Sequence, residues 1–234
     1  MSPLDAIPMD RAATGWGGRW LGVMPAVVAN IQDPDGQGRI QIRLPWAPDA
    51  GGSQGYELWA RMATLFAGSD RGSWFLPEVD DEVLVAFEMG DPRRPYILGG
   101  LWNGQDSPPQ SASAANNIKQ IKSRNGVAIT IDDAQGQEQL KLETPGGQKI
   151  TLKDGPGAIT IEDSNGNSIK LETSGITITA AAKVTVNAPQ VDVSAGLVKV
   201  DAGMAKFSGV VQCQTLITTT CIATTYTPGA GNIW

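Results

Sequence analysis

Of the side chains that move protons, attack electrophiles or hold metals, this chain lacks the most versatile. Among its 234 residues there is no histidine. Imidazole general bases, Ser-His-Asp and Cys-His arrangements and His-based metal sites are therefore excluded. What remains is carboxylates. Asp132 and Asp133 return thirty residues later as Glu162 and Asp163. Acids in such positions flank a groove for glycoside hydrolysis, hold a divalent cation, or cap and solvate bends. The Gly-Gly-x-Gly-x-Asp calcium signature is missing, so capping is the expectation. Asp80-Asp81-Glu82, between Val79 and Val83, reads as a solvated turn before a metal site, and Gly36-x-Gly38 is too short for a phosphate loop. Cys213 and Cys221 are too few for a disulfide scaffold; they could bridge stacked strands, pair between chains or fill small buried spaces. No catalytic residue, cofactor or metal ligand is assigned, and the chain is not expected to be an enzyme.

Binding chemistry has better candidates. Arg93 and Arg94 lie between Pro92 and Pro95, two guanidiniums in a fixed loop suited to a partner's carboxylates or simply solvated. Trp16 and Trp20 sit in an arm, residues 1–20, where Pro3, Pro8 and Gly15-Trp16-Gly17-Gly18 prevent a long regular element. They tuck onto their own domain or dock on a neighbouring subunit or platform protein. At the far end Thr227, Pro228, Ile233 and Trp234 close a stretch with no charged side chain after Lys206. They read as a plug over the end of a rod or a flat platform for a tip protein.

The elements that must position these residues are strands. From Leu21, Val23 to Ile31 is a first strand, and Asp33-Pro34-Asp35-Gly36-Gln37-Gly38 is a tight turn. Arg39 to Leu44 is an alternating second strand ended by Pro45. Trp59 to Ala63, Val83 to Glu88 and Pro95 to Leu101 complete five. Five strands in about eighty residues suit a closed Greek-key barrel of the OB type, residues 21–106, with Trp74, Phe75, Val79 and Phe87 as core candidates. A polar, proline-containing linker follows (107–120).

Residues 121–212 then form a ladder of short segments, each alternating an aliphatic with a polar residue: Ile129 to Asp133, Leu140 to Thr144, Ile150 to Asp154, Ile159 to Asp163, Ile169 to Thr173, Ile176 to Thr179, Val184 to Asn187, Val191 to Val193 and Val198 to Asp201. Ile129-Thr130-Ile131-Asp132-Asp133 with Gly136 returns as Ile159-Thr160-Ile161-Glu162-Asp163 with Gly166, so the architecture is a stacked repeat. Either one chain coils alone, three segments per turn, or three chains share an intertwined prism. The ladder's side chains are small, with Phe207 its one aromatic. Such a thin rod buries little apolar surface alone, which favours three chains. The expected fold is all-β: an N-terminal OB barrel, then a triple-stranded β-helix formed by three chains, with residues 213–234 as its distal end.

Charge divides the chain at the same place. The net charge of −6 belongs to residues 1–110, and residues 111–234 are neutral. Neither half carries the basic excess of a nucleic-acid binder. No run of 18 apolar residues announces a transmembrane helix, and Met1-Ser-Pro-Leu-Asp does not read as a secretory signal. Release from a cell would occur inside an assembly or by lysis.

Two long blocks carry a resemblance. Asp33 to Trp46, and then Trp59-Ala60-Arg61-Met62-Ala63, Gly72 to Glu88 and Gly90-Asp91-Pro92-Arg93-Arg94-Pro95-Tyr96-Ile97-Leu98-Gly99-Gly100-Leu101-Trp102-Asn103-Gly104, resemble the phage baseplate assembly protein V family. That family includes the OB domains of type VI secretion VgrG spikes and of the phage T4 cell-puncturing spike. The ladder resembles the family's trimeric needle. The resemblance implies a homotrimeric central spike of a contractile tail or phage-like injection particle, assembled in the producing cell's cytoplasm and acting in the virion or extracellular particle. It implies a trimeric hub protein, other baseplate proteins and a PAAR-type tip protein as partners. Tip histidines that hold iron in some spikes are absent here, and the short linker leaves no place for an inserted lysozyme. Twenty residues before the barrel do not encode a hub domain, so a separate hub protein is implied. The competing reading is a single-chain β-solenoid that acts on or binds cell-surface polysaccharide.

Overall fold

The computed structural model describes residues 18–48, 54–155 and 158–225. Fifteen-residue spans without a turn signal are rare in this sequence, and the chain folds accordingly into short strands. Its regular structure is all-β, and the chain divides into two units, residues 1–183 and 184–234.

The first unit opens with a closed barrel. Strands β1 (Val23–Asn30), β2 (Ile40–Pro48), β3 (Gln54–Met62), β6 (Glu82–Phe87) and β7 (Pro95–Gly100) close in the order β1-β2-β3-β7-β6, and β6 returns to β1. The β3–β7 pair is parallel; the other pairs are antiparallel. Two-residue strands β4 (Ala67–Gly68) and β5 (Arg71–Gly72) form a small hairpin between β3 and β6. The period-2 pattern selects the core: Ile40, Ile42 and Leu44 from β2, Val83, Val85 and Phe87 from β6, with Ala26, Val28, Ala60 and Ile97. Each fully buried aliphatic side chain contributes about 1.5–3 kcal/mol.

Several expectations need correction here. Pro45 does not end β2. The strand continues to Pro48, and the missing amide falls where the register slips between Leu44 and Pro48, as a proline in a strand requires. Of the four core candidates only Phe87 is buried. Trp74, Phe75 and Val79 are exposed because they follow β5 in irregular chain, where no alternation turns them inward; from that stretch Leu76 packs against the core. Trp20, by contrast, is only 7% exposed, standing edge-on to Trp46 and Phe87 with ring centroids 5.1 and 4.9 Å away. Its backbone N–H donates to the Gly90 carbonyl at 2.8 Å.

The second part of this unit is one seven-stranded antiparallel meander: β8 (Ile118–Lys122), β9 (Ala128–Asp132), β10 (Gln139–Glu143), β11 (Lys149–Lys153), β12 (Ile159–Glu162), β13 (Ser168–Glu172) and β14 (Gly175–Thr179). It begins at Ile118, inside the stretch read as linker. The internal repeat is a repeated hairpin: β9–β10 turns through Gly136 and β12–β13 through Gly166, both with positive φ (74° and 86°). Strands three apart therefore run in opposite directions, whereas a coil of three segments per turn would stack them parallel. The single-chain solenoid is thereby corrected for these residues. In the second unit, Val184 to Thr225 is exposed throughout and forms no strand within the chain, including the segments at Val184, Val191 and Val198.

Candidate functional site: an uncovered aliphatic face

The register of the meander lines its aliphatic residues into two continuous rows. Ile121, Ile129, Leu142, Ile150, Ile161, Ile169 and Ile178 lie opposite one another in succession, as do Ile131, Leu140, Leu152, Ile159, Leu171 and Ile176. Both rows share one face of the pleat. In the chain by itself that face is largely bare: exposure runs from 36% at Leu142 to 69% at Ile176, with only Ile159 and Leu171 half-buried. The opposite face carries Thr130, Lys141, Thr151, Thr160 and Lys170, all of them half-buried. Lys141 lies 2.6 Å from Glu143 and, with Lys149 opposite and Lys122 nearby, holds that carboxyl below its usual value. The polar face is thus the better covered one, the reverse of what water permits for a finished sheet.

The turn acids are spent on the turns. Asp163 accepts hydrogen bonds from the Asn167 side chain (2.6 Å) and from the backbone N–H groups of Asn167 and Asn165 (both 2.9 Å), which lower its pKa. Asp132 accepts from the N–H of Ala134 at 3.0 Å, and Asp133 pairs with Lys119 at 3.1 Å. Glu162 lies within β12, opposite Lys149, and not in a turn. In the barrel, Asp33 is gripped by the Arg39 guanidinium at 2.7 Å and by the N–H groups of Arg39, Gln37 and Asp35, holding its carboxyl far below the usual range. Arg39 also pairs with Asp35 and stacks over Trp59. Asp81 accepts from the N–H of Glu78 at 2.8 Å, the turn expected of Asp80-Asp81-Glu82. Among the described residues no group of three or more acids and cysteines is arranged to hold a metal, and both thiols are free and exposed.

Arg93 and Arg94 project from the loop after a single 3-10 turn, Glu88–Gly90. Arg93 makes a two-pronged contact to Asp91 (Nε to Oδ1 3.0 Å, Nη2 to Oδ2 2.9 Å), which lowers Asp91 to about 2. Arg94 donates to Glu88 at 3.1 Å; Glu88 is held low chiefly by the Tyr96 hydroxyl at 2.7 Å and then by Arg94. With Gly18, Arg19, Met89 and Pro92 these residues line a recess of about 380 Å³. Met89 holds a left-handed conformation (φ 52°) with its side chain in solvent. The structure brings Arg93 and Arg94 together beside Gly18 and Arg19, while the Trp20 ring itself is enclosed by its own barrel. Trp16, Thr227, Pro228, Ile233 and Trp234 lie outside the described residues. Sequence reasoning missed Leu65 and Phe66, exposed beside Trp74 and Phe75; the signal was large apolar residues in a stretch broken by Gly68 and Gly72, without alternation.

A barrel closed in this order, followed by a repeating hairpin sheet with a bare aliphatic face, agrees with the comparisons to known proteins. The family model described as the type VI secretion system/phage-baseplate injector OB domain matches residues 24–102, and that of the phage baseplate V C-terminal trimerisation domain matches residues 139–199. The chain belongs to the phage baseplate V and VgrG-like spike family. Among curated relatives, the type VI secretion system spike protein VgrG1b of Pseudomonas aeruginosa is 28% identical over 128 residues, 51% of this chain and 17% of that protein. VgrG4b of the same species is 30% identical over 132 residues, 52% of this chain and 16% of that one. The actin cross-linking toxin VgrG1 of Vibrio cholerae is 27% identical over 128 residues, 50% of this chain and 12% of the toxin. The chain thus spans between 12% and 17% of the length of these three relatives. Among the described residues no helix is long and apolar enough to cross a membrane.

Proposed function

We propose that the chain is the central spike of the baseplate of a contractile tail or phage-like injection particle, a homotrimer that carries sheath force to the target envelope. The observation that supports this reading is the double row of aliphatic side chains left bare on the meander. Three copies with these faces inward would share one core along a common axis, which a single thin sheet cannot build. The needle would run from Ile118 to about residue 212, tied to the barrel by the residues from 107 up to that strand, and continue as strands intertwined among three chains beyond Val184. A dense hydrogen-bonded ladder without free edges gives such a rod its stiffness.

The barrel would face a trimeric hub protein, with Arg93 and Arg94 exchanging their present carboxylates for those of the hub. The arm, residues 1–20, would reach other baseplate proteins. A PAAR-type tip protein would sit on the uncharged end at Thr227, Pro228, Ile233 and Trp234, where little charge is desolvated. Assembly would take place in the producing cell's cytoplasm and action in the virion or extracellular particle. The charge of −6 does not favour nucleic acid as a partner. The test is light scattering on the intact chain. The expected mass is that of three chains, resistant to mild SDS; a single-chain mass overturns the reading.

A further inference from the structure

We propose that Leu65, Phe66, Trp74 and Phe75 form a contact between neighbouring barrels of that trimer, each patch seated on the barrel of the next copy. The proposal rests on the trimer reading given above. These side chains are 92%, 59%, 72% and 64% exposed, on a barrel whose interior is already closed by other residues. They are held in place. The β4–β5 hairpin pairs Ala67 with Gly72, the Ser73 N–H donates to the Phe66 carbonyl at 3.1 Å, and the Thr64 hydroxyl donates to the Ser73 carbonyl at 2.6 Å. The Trp74 ring lies against Gly38, where a Cβ would come within 3.2 Å of it. Leu76 anchors the following turn in the barrel core. An apolar patch with a pinned backbone and no charged side chain from Gly72 to Pro77 has the composition of a protein contact.

Position and size decide the occupant. The same stretch ends at Glu78, whose carboxylate accepts from the Arg124 guanidinium at 2.7 Å. Arg124 sits in the tight turn between β8 and β9, where the Gly126 N–H donates to the Ser123 carbonyl at 2.9 Å. The stretch that carries the patch therefore reaches the root of the meander, whose bare face would turn towards the other copies in that trimer. Four side chains fall short of the ~800 Å² per partner that a free-standing complex buries. Between copies already joined by their sheets the local concentration is on the order of millimolar, and a small contact suffices. A second copy fits that patch better than a separately diffusing partner.

The experiment places a photo-crosslinker in the intact chain as Phe75→p-benzoylphenylalanine, with Met89→p-benzoylphenylalanine as the reference position. Native mass is measured first. The expected result is a trimer that, on irradiation, yields covalent dimers and trimers several-fold more from position 75 than from position 89. The adducts are expected on residues 21–106 of the neighbour. A trimer giving no such adduct, or equal yields from both positions, or adducts confined to the ladder, overturns this contact and leaves the trimer standing. A monomeric mass overturns both.

Discussion

The barrel and the meander are built from the same alternating strands and end in opposite situations. In the barrel, closure puts the aliphatic side of each strand inside: Ile40, Ile42, Leu44, Val83, Val85 and Ile97 have no exposure at all. In the meander, seven strands lie side by side with open edges, and Ala128 is its one residue among the buried hydrophobics. The difference teaches that alternation specifies a strand with one dry face and says nothing about where dryness comes from. A sheet that closes on itself supplies it within one chain; a sheet that does not must take it from others.

The sharpest way to break this comparison is to remove one half. Deleting 121–234 is expected to reduce the assembly from three chains to a weakly associating barrel whose melting temperature stays within a few degrees. Six of the seven tryptophans precede Asn103 and the seventh, Trp234, goes with the deletion, so tryptophan fluorescence of the shortened chain reports the part before Asn103, while light scattering reports assembly. A stable trimer of residues 1–110 would place the decisive contact in the barrel.

Single side chains should separate the two regions next. Ile161 stands mid-row between Ile150 and Ile169. Ile161→Asp would bury three unpaired charges on the axis and is expected to abolish the trimer, with Ile161→Ala costing about 2–5 kcal/mol per chain. An Ile161→Asp chain that still sediments as a trimer would show that this row faces solvent. The matching barrel change, Ile42→Ala, is expected to cost a similar amount, but its effect should not depend on protein concentration. If melting of Ile42→Ala shifted with concentration as that of Ile161→Ala does, the barrel core would be shared as well.

A smaller effect is expected from Arg93→Glu with Arg94→Glu. Both side chains are mostly exposed (82% and 61%), so folding and assembly should change by less than about 1 kcal/mol. Co-purification with a hub protein should fall sharply. Unchanged co-purification would mark the pair as ordinary solvated arginines.

How far these features could be read in the sequence follows the same division. The five barrel strands, the hairpin at Asp33-Pro34-Asp35-Gly36 and the turn-capping acids were legible because each depends on neighbours in sequence. Trp74 and Phe75 were not, since large aromatics suggest a core and only the closure order shows that the barrel is full without them. Glu162 read as a turn residue because its repeat partner, Asp132, ends β9 and caps the following turn, while β12 carries Glu162 opposite Lys149. The direction of the stacked repeat was also hidden. A period of thirty residues fits a coil or a meander equally, and the register of β9 against β10 decides between them. Trp20 and Arg93 show the limit for sites: type and spacing left Trp20 either tucked onto its own domain or docked on a partner and Arg93 either partner-binding or solvated, and only burial distinguishes them, enclosing the first and leaving the second on the surface.

The smallest predicted effect concerns acid, and it again tells the two regions apart. Asp91 is held at about 2 against a usual 3.8 by the Arg93 side chain first and then by the Arg93 backbone N–H. A carboxyl lowered by folding contributes stability that is complete above the unfolded value, near 3.8, and is lost as pH falls through the folded value, near 2. The intact barrel should therefore lose its advantage over Asp91→Asn between about pH 4 and pH 2, and the two should melt together at the lower end. Tryptophan fluorescence of both chains at pH 5, 3 and 2 measures this. Since Asp91 belongs to the barrel loop, scattering by the assembled chain at pH 5 should be the same for both. A melting difference that persisted unchanged at pH 2 would mean that Asp91 acts through the shape of its loop and not through its charge.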